Sequence, residues 1–118
     1  MKHLLPSIFV FMACATSSFA QELRQDVQKL LNDCESDEAF AYGACLGMAR
    51  GTAAVMQFNC SLYQDGTSTI TFFAADSSNA TYGAMIQAFI NWARANPSEW
   101  GTRGELGMIT ALRETFPC

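Results

Sequence analysis

The sequence predicts an all-α fold: a small bundle of four to five helices, stapled by two disulfides, with a long loop between the second and third helices. Three observations predict this class. Apolar residues recur with the 3.6-residue period of amphipathic helices in successive segments. Four cysteines, Cys34, Cys45, Cys60 and Cys118, follow a leader that directs export. Between the second and third helical segments lie two turn-forming clusters, so that connection is either irregular or folded into a short β-hairpin.

The first twenty residues have the pattern of a cleavable secretory signal peptide. A basic start at residues 1–3 precedes an apolar run at 4–13, and small residues favour cleavage after Ala20. The run is shorter than the roughly 20 apolar residues that span a bilayer, so a membrane anchor is the weaker interpretation and no stable membrane insertion is expected. Lipidation at Cys14 is a second alternative, although Phe11 stands where leucine is usual. We therefore expect one exported domain, residues 21–118.

The four remaining cysteines form an even set, which in an exported chain predicts two disulfides with three connectivities open. The order of the helices favours Cys34–Cys45, across an antiparallel pair of helices, and Cys60–Cys118, between the ends of two others. A four-cysteine zinc site is the alternative, but the chain lacks a C-x₂-C pair.

The first two helices are predicted at residues 21–34 and 37–57. The first carries one apolar stripe, formed by Leu23, Val27, Leu30, Leu31 and Cys34. Ser36 is a suitable N-cap for the second helix, because its hydroxyl can accept from a free backbone N–H. Asp37 and Glu38 would then lie in the first turn, where the helix dipole favours negative charge.

The second helix contains small residues at four-residue spacing: Gly43, Gly47 and Gly51, with Ala44 and Ala54 beside them. Each glycine in a helix interior costs about 1 kcal/mol relative to alanine. Close approach of another helix within the domain would compensate this cost, and it is the preferred interpretation. A homodimer seam is the alternative. Arg50 within the segment argues against packing in a membrane.

Residues 58–80 are predicted to form the long loop. Asp65-Gly66 is a turn signal, residues 67–72 alternate as in a short strand, and residues 76–79 form a second turn cluster. Long loops in compact domains are often binding elements. A tolerated surface insertion is an equally good interpretation.

The last two helices have clear ends. Thr81 can cap a helix at residues 82–96, and Pro97 ends it. Ser98 can cap a short turn that carries Trp100. A final helix at residues 103–115 is stopped by Pro117. Aromatic residues on these apolar stripes are assigned to the core rather than to a cofactor site.

The composition excludes several functions. The chain has a net charge of −4, and loss of the leader removes Lys2, so the remainder is too acidic to bind nucleic acid. The only histidine, His3, is lost with the leader, which excludes histidine-dependent catalysis and histidine-ligated metal. The carboxylates Glu35, Asp37 and Glu38 are better suited to helix termini than to acid–base chemistry. We expect no enzyme activity, no catalytic residue, no metal site and no cofactor.

Several sequence strings resemble a known family. They are residues 45–51 (CLGMARG), Cys60, the helix end at Asn96-Pro97, and residues 111–118 (ALRETFPC). In these the chain resembles the Rap/Tai family of type VI secretion immunity proteins. The resemblance implies a helical, disulfide-bonded periplasmic protein, often dimeric, that binds and blocks peptidoglycan-cleaving amidase effectors. The chain departs from the family pattern at residues 61–80, which separate Cys60 from the next helix.

The resemblance leads to the hypothesis that the loop plugs an amidase groove, with Tyr63, Gln64, Asp65 and Thr67 as partner contacts. Two alternatives remain open: a periplasmic acid or stress chaperone, and a non-enzymatic interaction protein of the envelope. The chaperone hypothesis depends on bulky apolar residues near the loop, namely Phe58, Leu62, Tyr63, Ile70, Phe72 and Phe73.

Overall fold

The computed structural model of the chain describes residues 25–69 and 71–118. Four α-helices follow in order, α1 at Val27–Cys34, α2 at Ala39–Gln64, α3 at Tyr82–Ala95 and α4 at Gly104–Thr115, with a 3₁₀ turn at Pro97–Glu99. The predicted all-α bundle is confirmed. Within the described ranges there is no β-strand, so of the two alternatives for the connection, irregular loop or short β-hairpin, the hairpin is not formed there. The signal peptide, its cleavage after Ala20 and lipidation at Cys14 lie outside the described residues.

Helix α1 begins later than predicted. Asp26 is its N-cap, and its carboxylate accepts from the Lys29 N–H at 2.8 Å. Just before the helix the backbone is extended and pairs with the chain that enters α4: the Gly104 N–H donates to the Gln25 carbonyl at 2.9 Å. The prediction of helix at residues 25–26 was therefore wrong, because these residues pair with a distant segment that periodicity cannot indicate.

Helix α2 also begins later than predicted. Its N-cap is Glu38, which makes no side-chain capping bond, and Ser36 is not the cap. Instead, the Ser36 hydroxyl accepts from the Glu38 N–H at 3.1 Å, a local bond that favours a turn over a helix. The Glu35 N–H still donates to the Leu31 carbonyl of α1. The chain therefore uses the residues up to Glu38 to reverse direction.

Helix α2 was predicted to end at Gln57, but it continues to Gln64. It ends in a Schellman motif, in which the Thr67 N–H donates to the Leu62 carbonyl and the Gly66 N–H to the Tyr63 carbonyl. Gly66 has φ +73°, a conformation in which glycine is strongly favoured. Residues 58–64 were assigned to the loop in error, because the first strong stop signal is Asp65-Gly66.

The core lies where α1, α3 and α4 pack against one face of α2. Phe89 of α3 is completely buried at its centre. Helix α4 approaches closely at Gly107, where an added Cβ would lie 2.7 Å from Val27 Cγ2 and 2.9 Å from Trp92 Cζ3. Real Cβ atoms essentially never lie this close to other atoms, so a side chain at position 107 would force the neighbouring helices to shift. The largest fully buried side chains are Phe89, Leu30, Met56, Met108, Leu112 and Val27.

The glycine stripe of α2 does not pack inside the domain. Gly43, Gly47 and Gly51 are exposed, and apart from the adjacent residues and the nearby backbone of α2 itself, no described atom lies within 4 Å of a Cβ built on any of them. The small residues that face the core are instead Cys45, Ala49 and Ala53. These two sets are offset by two positions, or about 200° around the helix, so they lie on opposite faces. The preferred interpretation, a glycine crossing within the domain, was wrong.

Both predicted disulfides are present. Cys34 and Cys45 join α1 to α2 with a Cα–Cα distance of 5.1 Å. Cys60 and Cys118 join α2 to the end of the chain beyond α4, with a Cα–Cα distance of 5.5 Å. Among the described helices, none has the length and apolar character needed to cross a bilayer.

Candidate partner-binding surface

The loop between α2 and α3 is fixed to the body of the domain. Its backbone forms two long-range hydrogen bonds: the Ala75 N–H donates to the Met56 carbonyl at 3.2 Å, and the Asp76 N–H donates to the Phe116 carbonyl at 2.9 Å. Ala75 is also fully buried. The second half of the loop therefore lies along α2 and reaches the C-terminal end of α4.

Side chains of α2 hold the same loop from beneath. The Asn59 amide donates to the Phe73 carbonyl at 3.0 Å, and Gln57 Oε1 accepts from the Ser77 N–H at 2.7 Å. Gln57 and Asn59 lie within α2, so these hydrogen bonds attach the loop directly to that helix. Residues 73–77 of the loop are thus held against the surface of the domain.

Four large aromatic side chains remain exposed on the second half of α2 and on the loop. We call these four side chains together the aromatic surface: Phe58, Tyr63, Phe72 and Phe73, with 63%, 41%, 49% and 40% of their areas exposed. The Phe72 and Phe73 rings pack edge to face with centroids 4.7 Å apart. The Arg113 guanidinium lies 4.6 Å from the Phe72 ring centroid. Aromatic side chains are enriched at protein-binding surfaces.

The four predicted contact residues lie together at the end of α2. Tyr63 and Gln64 form the last turn of the helix, Asp65 is the C-cap, and Thr67 closes the Schellman motif through its backbone. All four side chains are exposed. Tyr63 and Gln64 are helical, which corrects their assignment to the loop. The structure gives these residues a common location, and their role in binding stays a prediction.

An apolar groove lies between α2, the loop and α4. It has a volume of about 520 Å³, and its lining is formed by Gly47, Met48, Gly51, Thr52, Val55, Met56, Phe73 and Ile109. Gly47 and Gly51 have no side chains and so leave this side of the groove open. Phe73 is shared with the aromatic surface. The groove and the aromatic surface therefore adjoin each other.

The exposed side of α2 carries a continuous strip without polar side chains, which we call the α2 outer face. At about 100° per residue, all its members project within about 60° of a common direction around the helix axis. They are Phe40, Gly43, Ala44, Gly47, Gly51, Ala54, Val55 and Phe58. Phe40 is 83% exposed, the largest value among the large apolar side chains of residues 25–69 and 71–118. Sequence reasoning found the glycines and missed Phe40. The five-turn spacing of Phe40 and Phe58 was the available signal.

The acidic residues at the junction of α1 and α2 have structural environments. Glu35 is the C-cap of α1 and forms an ion pair with Arg94 of α3. Asp37 and Glu38 are exposed. In the described part of the chain, no three cysteine, histidine or acidic residues are grouped so as to hold a metal ion.

One carboxyl group has a shifted pKa. Hydrogen bonds from the Ser78 hydroxyl and backbone N–H lower the pKa of Asp76 below its ordinary value, and Gln57 adds to this. The hydroxyl bond measures 2.7 Å. Asp76 thereby stabilises the turn before α3.

A scan against protein-family models matched residues 26–118 to the Rap1a immunity proteins. Comparison with curated proteins and with solved structures gave no match. The matched range begins at the N-cap of α1 and extends to Cys118, so it covers all four helices and both disulfides. This chain therefore belongs to the Rap1a immunity protein family.

Proposed function

We propose that the chain is a periplasmic immunity protein that binds a peptidoglycan amidase delivered by type VI secretion and blocks its active-site groove. The family match over residues 26–118 is the observation that carries the proposal. Membership in an immunity family implies a protein effector as partner. The choice of an amidase as the effector, and of the periplasm as the compartment, is based on the motifs that resemble the Rap/Tai family.

Inhibition of this kind requires no chemistry on the immunity side. A rigid surface that fills the groove excludes the substrate, and binding is favoured when that surface is already ordered. The hydrogen bonds of the Schellman motif at Gly66 and Thr67 order the assigned contact residues, and those from Ala75, Asp76 and Asn59 fix the second half of the loop. We assign the contact to Tyr63, which belongs to the aromatic surface, and to its neighbours Gln64, Asp65 and Thr67.

The test uses a candidate amidase encoded beside this gene, mixed with the purified immunity protein in an assay of cell-wall cleavage. A Tyr63→Ala variant should weaken inhibition by at least about tenfold, because buried tyrosines are frequent hot spots of protein interfaces. Tyr42→Ala is the matched control. Tyr42 lies on the same helix and is 39% exposed, against 41% for Tyr63, but is remote from the Schellman turn.

Unchanged cleavage at a stoichiometric excess of the wild-type protein would exclude the proposal for that amidase. If the protein instead suppresses the aggregation of unfolded clients at acidic pH, the chaperone hypothesis is supported. Equal loss of inhibition in the Tyr42→Ala and Tyr63→Ala variants would remove the assignment of the contact residues.

We also propose that the α2 outer face is the seam of a homodimer. Exposed glycines weaken a helix, and none of the residues that the structure describes packs on Gly47 or Gly51. A second α2 could approach the glycine backbones closely and cover Phe40 and Phe58. Sedimentation should show a dimer that Gly47→Leu converts to a monomer with unchanged helix content. A wild-type monomer at all concentrations would contradict this assignment.

A further inference from the structure

A second cavity lies on another side of α2, where the loop leads into α3. Its volume is about 570 Å³, and we call it the Arg50 cavity. Ala53 and Met85 contribute buried apolar surface to it. The polar part of its lining consists of Arg50, Gln57, Ser77, Ser78, Thr81 and Tyr82. The cavity therefore combines an apolar part with one cationic group and several hydrogen-bonding groups.

Arg50 differs from most other cationic side chains of the domain. Lys29, Arg94 and Arg103 each form an ion pair with a carboxylate. Within residues 25–69 and 71–118, no carboxylate oxygen lies within 4.0 Å of the Arg50 guanidinium. The group lies over the Tyr82 ring instead, 5.1 Å from its centroid. The ring orients the guanidinium without using its N–H donors, which remain available to a ligand.

The neighbouring groups also favour a negative charge. Thr81 caps α3, and its hydroxyl oxygen accepts from the Ala84 N–H at 3.1 Å, so the hydroxyl proton is free to donate. The first turn of α3 begins at Tyr82 and brings the positive end of a helix of 14 residues to the cavity. The adjacent Asp76 carboxylate opposes an anion, but the Ser78 hydroxyl and N–H bind it at 2.7 and 3.3 Å.

We infer that the Arg50 cavity binds a carboxylate carried on a short acidic peptide segment, with the Arg50 guanidinium as its partner. A guanidinium whose donors are unpaired matches the two oxygens of a carboxylate. The volume of the cavity is far larger than one carboxylate and is in the range of pockets that hold small ligands, so it accommodates neighbouring residues of the peptide as well. If the proposed function holds, the segment belongs to the effector; the peptide-binding property itself does not depend on that function.

The inference is tested on the purified oxidised protein by ¹⁵N NMR titration with capped pentapeptides. One peptide carries glutamate at the centre of four alanines, and its matched neutral peptide carries glutamine there. A third has five alanines and a free terminal carboxylate. We expect saturable shifts of the Tyr82 and Gly83 amides with the glutamate peptide. The glutamine peptide should cause at most weak shifts.

Variants identify the group responsible. Arg50→Gln should weaken binding of the glutamate peptide by about tenfold, because it removes charge-assisted hydrogen bonds. Arg113→Gln is the matched control, since Arg113 also lies over an aromatic ring but lines no part of this cavity. The Arg113→Gln variant should bind the glutamate peptide with the affinity of the wild type. Unchanged amide spectra away from position 50 would show that Arg50→Gln is folded.

Equal shifts with the glutamate and glutamine peptides, or equal binding by wild type and Arg50→Gln, would overturn the inference. Stronger binding of the third peptide would overturn the assignment to an acidic side chain and identify a chain terminus as the ligand. Failure of amidase inhibition alongside retained, Arg50-dependent peptide binding would count against the proposed function only. The two proposals therefore fail separately.

Discussion

The two disulfides should contribute unequally to stability. Cys60 and Cys118 are 58 residues apart in sequence, whereas Cys34 and Cys45 are 11 apart. Crosslinks stabilise mainly by restricting the unfolded chain, and the restriction grows with the logarithm of the loop length. At 25 °C this relation gives about 4.2 kcal/mol for the long loop and about 2.8 kcal/mol for the short one, a difference of about 1.5 kcal/mol.

The measurement uses two double variants, each retaining one disulfide. Cys34→Ala with Cys45→Ala retains the long loop, and Cys60→Ala with Cys118→Ala retains the short one. Urea unfolding of each variant, oxidised and then reduced, gives the contribution of one disulfide without any further change of side chains. We expect the larger difference for the variant that keeps Cys60–Cys118. A larger contribution from Cys34–Cys45 would refute the reasoning from loop length.

Four further predictions concern single positions. In urea denaturation, Gly107→Ala should lower the free energy of unfolding by about 1–3 kcal/mol, because the added methyl group overpacks against α1 and α3. Gly47→Ala should raise the free energy of unfolding of the monomer by up to about 1 kcal/mol, because alanine favours the helix over glycine. Trp100→Phe should lower the free energy of unfolding by about 1 kcal/mol, because the indole N–H donates to the Ala93 carbonyl at 2.8 Å. The lowered pKa of Asp76 means that its stabilising effect is present above the ordinary value of 3.8 and is lost as pH falls through the lower folded value. Thermal unfolding of Asp76→Asn should accordingly depend less on pH below 4 than that of the wild type.

The ends of helices were predictable where one residue decides them. Thr81 and Pro97 bound α3 within one residue of the prediction, and Pro117 lies just beyond α4. Both ends of α2 were missed. Ser36 looked like a cap but bonds locally, and residues 58–64 contain neither glycine nor proline to stop the helix. The disulfide pairing was predicted from the order of the helices alone, because the order of so few helices restricts which cysteines can meet.

The direction in which the glycines face was not predictable. Helix α2 has small residues at four-residue spacing on two opposite faces, one through Gly47 and one through Ala49, and either could have packed inside. Burial of Cys45 by its disulfide partner selects the second face. The Arg50 cavity had no sequence signal, because it forms only when Ser78 of the loop comes near α2.

The link between Cys60 and Cys118 has a consequence for proteolysis. Every peptide bond from the end of α2 to the last residue lies inside the ring that this link closes. A single protease cut anywhere in the exposed turn at residues 65–69 therefore severs the main chain without releasing a fragment. The nicked molecule would run as one species on a gel until a reducing agent is added, and its two pieces would stay at high effective concentration for re-association.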